Sequence, residues 1–294
     1  MRTRNKQSNR VVLFAACLLS LPAWTCHAQD TTLSVMTFNI RYGSADDGPN
    51  AWEHRKDTVV NAIRAYAPDI VGTQECLQFQ AQYLDDALPD YEHFGVGRNA
   101  NGTGERMEVF YKTETLAPIE TGNFWLSTTP DIPGSRDWHS ANIRMVTWAK
   151  FHHLKSQRFL YYVNTHFDHR SEEARQQAAR LLARWVRKLP RKTAVIVGGD
   201  FNADAERTEP WRILTRGALK DAWLAAEESI GPEVTWSAFE SPSDSVNRID
   251  WLLYRGPLSV KLCETVLYNE NGRYPSDHYP VFARFVFGKN DEIQ

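Results

Sequence analysis

Asn39, Glu75, His166, Asp200, Asn202, Asp250, Asp277 and His278 share one local setting, because each stands beside a short apolar, β-branched run. Asn39 ends Val-Met-Thr-Phe-Asn, Glu75 follows Ile-Val-Gly-Thr-Gln, and His166 follows Val-Asn-Thr. Asp200 and Asn202 follow Ala-Val-Ile-Val-Gly-Gly, Asp250 opens Asp-Trp-Leu-Leu, and Asp277-His278 precede Tyr-Pro-Val-Phe. The carboxylates of Glu75, Asp200 and Asp277 and the amide oxygens of Asn39 and Asn202 are oxygen donors suited to Mg²⁺, Mn²⁺ or Ca²⁺, with no thiolate among them. Two histidines with carboxylate partners add groups that can move or donate protons near neutral pH.

Strands must carry these residues to one place. Runs at Leu33 to Phe38, Ile70 to Thr73, Glu108 to Tyr111, Met145 to Phe151, Phe159 to Asn164, Ala194 to Gly198, Arg248 to Tyr254 and Val281 to Phe287 predict strands. A helix is expected from about Arg55 to Tyr66, closed by Pro68. Another is expected after Ser171 as N-cap, with Ala174, Ala178, Leu181, Leu182 and Trp185 on one face and Pro190 beyond its end. The residues alone thus predict mixed α/β architecture with many short strands, and strand ends on one sheet edge are where such folds gather ligands. Neither an internal repeat nor a Pro/Ser/Gly-rich linker interrupts the chain, so one domain over residues 29–294 is expected.

Several stretches together resemble a known family. They are Thr37-Phe38-Asn39-Ile40-Arg41, Pro68 through Glu75, Asn164-Thr165-His166, Gly199-Asp200-Phe201-Asn202, Arg248-Ile249-Asp250-Trp251 and Ser276 through Val281. In this order they resemble the motif set of the endonuclease/exonuclease/phosphatase superfamily, which includes DNase I, abasic-site endonucleases, sphingomyelinases and inositol polyphosphate phosphatases. The resemblance implies a DNase I-like four-layer α/β sandwich, two packed mixed β-sheets flanked by helices. It implies that Glu75 is the main metal ligand, helped by Asn39 and Asp277, with Mg²⁺, Mn²⁺ or Ca²⁺ as the ion. His278, paired with Asp250 or Asp277, would face the scissile phosphate. Asp200 and Asn202 would orient or deprotonate the attacking water, either Asp200 or His278 being the base, and His166 would donate to a phosphate oxygen or leaving group. Arg144 matches a phosphate-contacting arginine, whose planar guanidinium suits two oxygens, and Glu105 would orient His166. A lone Asn or Asp at a strand end is ordinarily a turn former. Six motifs in the family's order reverse that balance.

Plainer roles are expected elsewhere. Asp168 is expected to serve a turn and His169 to be exposed, with a substrate contact as the alternative for both beside the expected site. Trp125 and Trp138 lie in a Pro/Ser/Thr-rich segment from Phe124 to Ala141 that forms either a rim loop or core packing. Arg41, two residues after Asn39, would face the same side of an extended strand or form an ion pair. Cys76 is expected to be buried.

Arg2, Arg4, Lys6 and Arg10 precede an apolar run from Val11 to about Trp24 and then Cys26-His27-Ala28, the pattern of a signal peptide cleaved after Ala28. Lipid attachment at Cys26 is the rival reading, disfavoured by the bulky Trp24. The expectation is an exported protein, periplasmic or secreted, with no transmembrane segment after signal removal. Loss of four basic and no acidic residues leaves thirty Lys/Arg against thirty-six Asp/Glu, a net of about −6. That balance disfavours broad electrostatic binding of nucleic acid. Phosphorylated small molecules or lipid headgroups are therefore the expected substrates of a phosphodiesterase or phosphatase. A secreted DNase I-like nuclease is the alternative, and a non-catalytic phospho-ligand or glycan-binding module a third reading. Cys76 and Cys263, the two cysteines outside the leader, would form one bridge or stay as buried thiols. Oligomeric state is set by no feature of the sequence.

Overall fold

A computed structural model describes residues 31–217, 219–242 and 247–288. The expected signal peptide, residues 1–28, lies outside them. In chain order the elements are β1 (Thr32–Asn39), α1 (Trp52–Tyr66), β2 (Ile70–Gln74), α2 (Gln78–Ala87), β3 (Tyr91–Phe94), β4 (Val109–Lys112), β5 (Leu116–Trp125) and β6 (Met145–His153). They continue with β7 (Arg158–His166), α3 (Glu172–Lys188), β8 (Ala194–Asp200), α4 (Glu209–Thr215), β9 (Lys220–Asp221), α5 (Ala222–Ala225), β10 (Ala226–Ile230), β11 (Asp250–Arg255), β12 (Leu258–Thr265) and β13 (Val281–Phe287). One sheet runs β10-β12-β13-β1-β2-β4-β3 and the other β5-β6-β7-β8-β11-β9, both mixed.

Side-chain alternation along the central strands explains the layers. Leu33 and Val35 of β1, Leu160 and Tyr162 of β7, Ala194 and Ile196 of β8, and Leu252 and Tyr254 of β11 meet in one buried cluster between the sheets. Their neighbours point the other way, as a period of two requires. Met36 and Phe38 pack under Val59 and Ile63 of α1 and Leu84 of α2. Val163, Val195, Val197 and Leu253 pack under Ala178, Leu182 and Val186 of α3 and Leu214 of α4. Both faces of each central strand are covered, which is why these strands read as continuous apolar runs. Helix, sheet, sheet, helix is the DNase I-like sandwich.

Helix ends follow local chemistry. The Ser171 hydroxyl accepts the Ala174 N–H at 3.1 Å, Glu172 and Glu173 occupy the first turn, and Arg187 and Lys188 the last. α1 begins one turn earlier than expected, at Trp52. The reason is Arg55, buried with its guanidinium donating to the carbonyls of Asn50, Ile40, Arg41 and Pro275. Two long strands escaped the sequence reading. β5 is an edge strand whose middle, residues 118–121, is exposed, and Pro118 sits at its register shift. β12 is only half buried and bulged between Val260 and Leu262.

The two buried cysteines are unbridged and occupy different clusters, Cys76 under the helices and Cys263 between the sheets. No helix among the described residues is long and apolar enough to cross a membrane. The sheets approach closely at Gly72, where an added Cβ would lie 2.1 Å from the Tyr162 hydroxyl and 2.9 Å from Asn164 Cγ. Gly72→Ala is therefore expected to destabilise the fold by about 1–3 kcal/mol through overpacking, read as a lower urea midpoint with unchanged slope.

Candidate active site

Topology decides that the polar strand ends meet. β1 and β2 are parallel and finish at one edge, with Asn39 level with Gln74 and Glu75 immediately beyond. β13 is antiparallel to β1, so the segment Ser276–Tyr279 that leads into it arrives at that same edge. In the facing sheet β7 and β8 are parallel and place His166 level with Asp200, while antiparallel β11 starts with Asp250 opposite Asp200. Because β1 crosses β8, and β2 crosses β7 and β8, these edges adjoin.

Glu75, Glu105, Arg144, His166, Asp200, Asn202, Asp277 and His278 line one pocket of about 380 Å³. Asn39 and Asp250 stand directly behind it. The Asn39 amide nitrogen donates to Glu75 Oε1 at 3.2 Å and to Asp200 Oδ2 at 3.0 Å, while its oxygen accepts the Arg41 N–H at 3.0 Å. Asn39, expected among the metal ligands, thus presents nitrogen to the carboxylates and braces them. Tyr42 N–H holds Glu75 Oε2 at 2.8 Å, and Asn202 N–H holds Asp200 Oδ1 at 2.9 Å. Asn202 Nδ2 donates to His166 Nε2 at 2.9 Å. Of the two partners open to His278, the structure selects Asp250, with Oδ2 2.9 Å from Nδ1. Glu75, Asn202 and Arg41 all have φ between 47° and 59°, left-handed backbone that non-glycine residues rarely adopt and that collects at functional sites.

The remaining expectations divide. Glu105 lines the pocket, but its carboxylate pairs with Arg98 at 2.7 Å, so it does not orient His166 as expected. Arg144 is buried, with Nη2 3.3 Å from His169 Nδ1. Arg41 is not in an extended strand; its guanidinium pairs with Asp47 at 2.8 Å and lies 3.4 Å from Asp277. Trp125 is buried with Nε1 donating to the Arg98 carbonyl, and Trp138 packs on the outer core, so neither lines the pocket. Trp236 does line it and is 49% exposed. It was missed because an isolated Trp between turn-like residues carries no periodic signal. His169, exposed as expected, also lines the pocket, as do Asn142, Asn247 and Ile249.

Burial and close charges separate the titratable groups. Burial alone would discharge His278, but Asp250 and Asp200, then Asp277, outweigh it and keep the ring protonated well above the usual histidine range. Burial, with Arg144 and Arg98 nearby, holds His166 neutral. Burial and the adjacent Asp250 raise Asp200 above the ordinary carboxylate range, against the pull of His278. Asp277 is also raised, by burial first, with the Glu75 charge contributing. Carboxylates confined together in one pocket are the arrangement a cation relieves. Donor atoms of Glu75, His166 and Asp200 lie within 4.8 Å of one another, as do those of Asp200, Asp250 and His278. The oxygen-rich set fits a hard divalent cation; Glu75 belongs to one of these clusters, while Asp277 lines the same pocket beside Arg41.

Comparison with known proteins agrees with this geometry. A sequence profile of the endonuclease/exonuclease/phosphatase family matches residues 36–278. An endonuclease/exonuclease/phosphatase from Bacteroides vulgatus is similar at 34% identity and a TM-score of 0.83, over 87% of this chain and 99% of that one. The Bacteroides thetaiotaomicron mannosyl-6-phosphatase Bt3783 is similar at 29% identity and a TM-score of 0.82, over 87% of this chain and all of that one. Protein L388 of Acanthamoeba polyphaga mimivirus is 28% identical over 167 residues, which cover 52% of this chain and 60% of that curated relative. The ordered motifs, the sandwich and the shared sheet edge agree, and the chain belongs to the endonuclease/exonuclease/phosphatase family.

Proposed function

We propose that this is an exported phosphatase that removes phosphate from a small phosphorylated polyol or sugar, using Mg²⁺ or Mn²⁺. The observation that carries the reading is one pocket, which joins carboxylates, the Arg144 guanidinium and His278, and one exposed indole. Its volume of about 380 Å³ is at the small-ligand end of the usual range. The similarity to a mannosyl-6-phosphatase points the same way, and the acidic balance weighs against nucleic acid.

A phosphate ester resists attack because it is anionic. Glu75 and Asp277 would hold the divalent cation, which when bound would supply charge neutralisation at a phosphate oxygen. Asp200, with its pKa raised, takes the proton of the attacking water and is aimed by Asn39 and the Asn202 N–H. His278, kept charged by Asp250, and the buried Arg144 face the charge that grows on the phosphoryl oxygens. His166 is neutral and contributes a hydrogen bond rather than a charge.

The test is phosphate release by metal-loaded protein from hexose 6-phosphates, glycerol phosphate and bis-p-nitrophenyl phosphate, beside nicking of plasmid DNA. Monoester hydrolysis well above the rest supports the reading. Nicking without monoester hydrolysis would replace it with the nuclease. Trp236 offers a flat apolar face to the alcohol half of the substrate. Trp236→Ala is expected to raise KM for a hexose phosphate about tenfold, the equivalent of about 1.4 kcal/mol, with little change for inorganic phosphate as inhibitor.

A further inference from the structure

Asp168 carries more than a turn needs. Its Oδ1 accepts the N–H groups of Arg170 at 3.0 Å and Ser171 at 2.8 Å, which is ordinary turn chemistry. Its Oδ2 is spent elsewhere in the chain, accepting the Ser140 hydroxyl at 2.9 Å, Ala141 N–H at 2.9 Å and Asn142 N–H at 3.1 Å. Ser171 adds a second tie, its hydroxyl donating to the Trp138 carbonyl at 2.8 Å. The segment so gripped contains Trp138 and His139 with φ of 58° and 57°, two successive residues in left-handed backbone. Asn142 and Arg144 leave this segment for the pocket, and His166 and His169 leave the other. Arg144 Nε lies 3.9 Å from Asp168 Oδ2 and has no hydrogen-bond partner. Asp168 itself is 2% exposed and absent from the pocket lining.

We propose that Asp168 is a positioning residue, a carboxylate clamp that fixes Arg144 against the phosphoryl group by tying the 138–144 segment to the turn after His166. It touches no substrate and acts through Arg144, so the proposal rests on the role given to Arg144 above. A carboxylate suits the task because it only accepts, and five donors converge on it. An amide in its place turns an NH₂ toward N–H groups whichever way it flips.

The experiment is a double-mutant cycle on the metal-loaded enzyme, with phosphate release from a phosphomonoester as readout. Asp168→Asn is expected to lower kcat about 10- to 100-fold, the scale of a misplaced catalytic contact, with KM nearly unchanged. In the Arg144→Ala background, Asp168→Asn is expected to cost less than about twofold further. Partial unfolding would lower activity equally in both backgrounds, so full additivity overturns the clamp. Wild-type kcat in Asp168→Asn, with Arg144→Ala impaired, also overturns it and leaves the role of Arg144 standing. An unimpaired Arg144→Ala removes that role and the clamp together. Should Asp168→Asn not fold, Ser140→Ala deletes one donor of the clamp and runs through the same cycle, where additivity again overturns the proposal.

Discussion

Glu75→Gln is expected to lower turnover on the order of a thousandfold, equivalent to about 4 kcal/mol of transition-state stabilisation. The substitution keeps the side chain's shape where Glu75 Oε1 meets Asn39 and Oε2 meets the Tyr42 N–H, so packing is kept and the loss falls on the charge and on the one hydrogen bond where the new NH₂ faces a donor. It removes one of the carboxylates that make the pocket attractive to a cation. Treatment of the unmodified enzyme with EDTA should bring activity to a similar floor, and Mg²⁺ or Mn²⁺ should restore it. The variant should need far more metal for partial recovery. Calorimetric titration with Mg²⁺ separates the two effects, since weakened binding must accompany lost turnover. Full activity after exhaustive chelation would remove the metal from the mechanism.

The second large effect is expected at Asp200→Asn, a loss of about 10²- to 10⁴-fold in kcat. Asp200 is level with His166 on one side and Asp250 on the other. Burial and Asp250 raise its pKa. A base works only when deprotonated, so activity falls as pH drops through the raised Asp200 value. His278 works only when protonated, so activity falls again as pH climbs through its own raised value. A bell-shaped profile results, with its acid limb above the ordinary carboxylate range. In Asp200→Asn that acid limb should flatten while the alkaline limb persists. Retention of the same acid limb in the variant would assign it to another group, with Asp277 the first to examine.

Much of this molecule was legible from one dimension. Apolar runs placed most of the central strands to within a residue or two, because strands covered on both faces need unbroken apolar side chains, and Ser171 capped its helix through purely local hydrogen bonding. Motif order gave the family and therefore the sandwich. Edge strand β5 was hidden because its exposed residues have no packing partner to constrain them. The burial of Arg55 was hidden because the carbonyls that satisfy it include that of Pro275, 220 positions away.

The sequence by itself determined which residue types stand at the strand ends, and so the chemistry available: oxygen donors, two histidines, an arginine. Tertiary structure decided which of them touch. It turned the Asn39 amide nitrogen toward the carboxylates, paired His278 with Asp250 and left Asp277 beside Arg41. It gave Glu105 to Arg98, brought Trp236 to the pocket and spent both oxygens of Asp168 on different segments. The physical reason is range. Periodicity and capping act over a few neighbours, whereas hydrogen-bond direction and the balance of desolvation against charge depend on atoms that only strand register and sheet packing bring within a few ångströms.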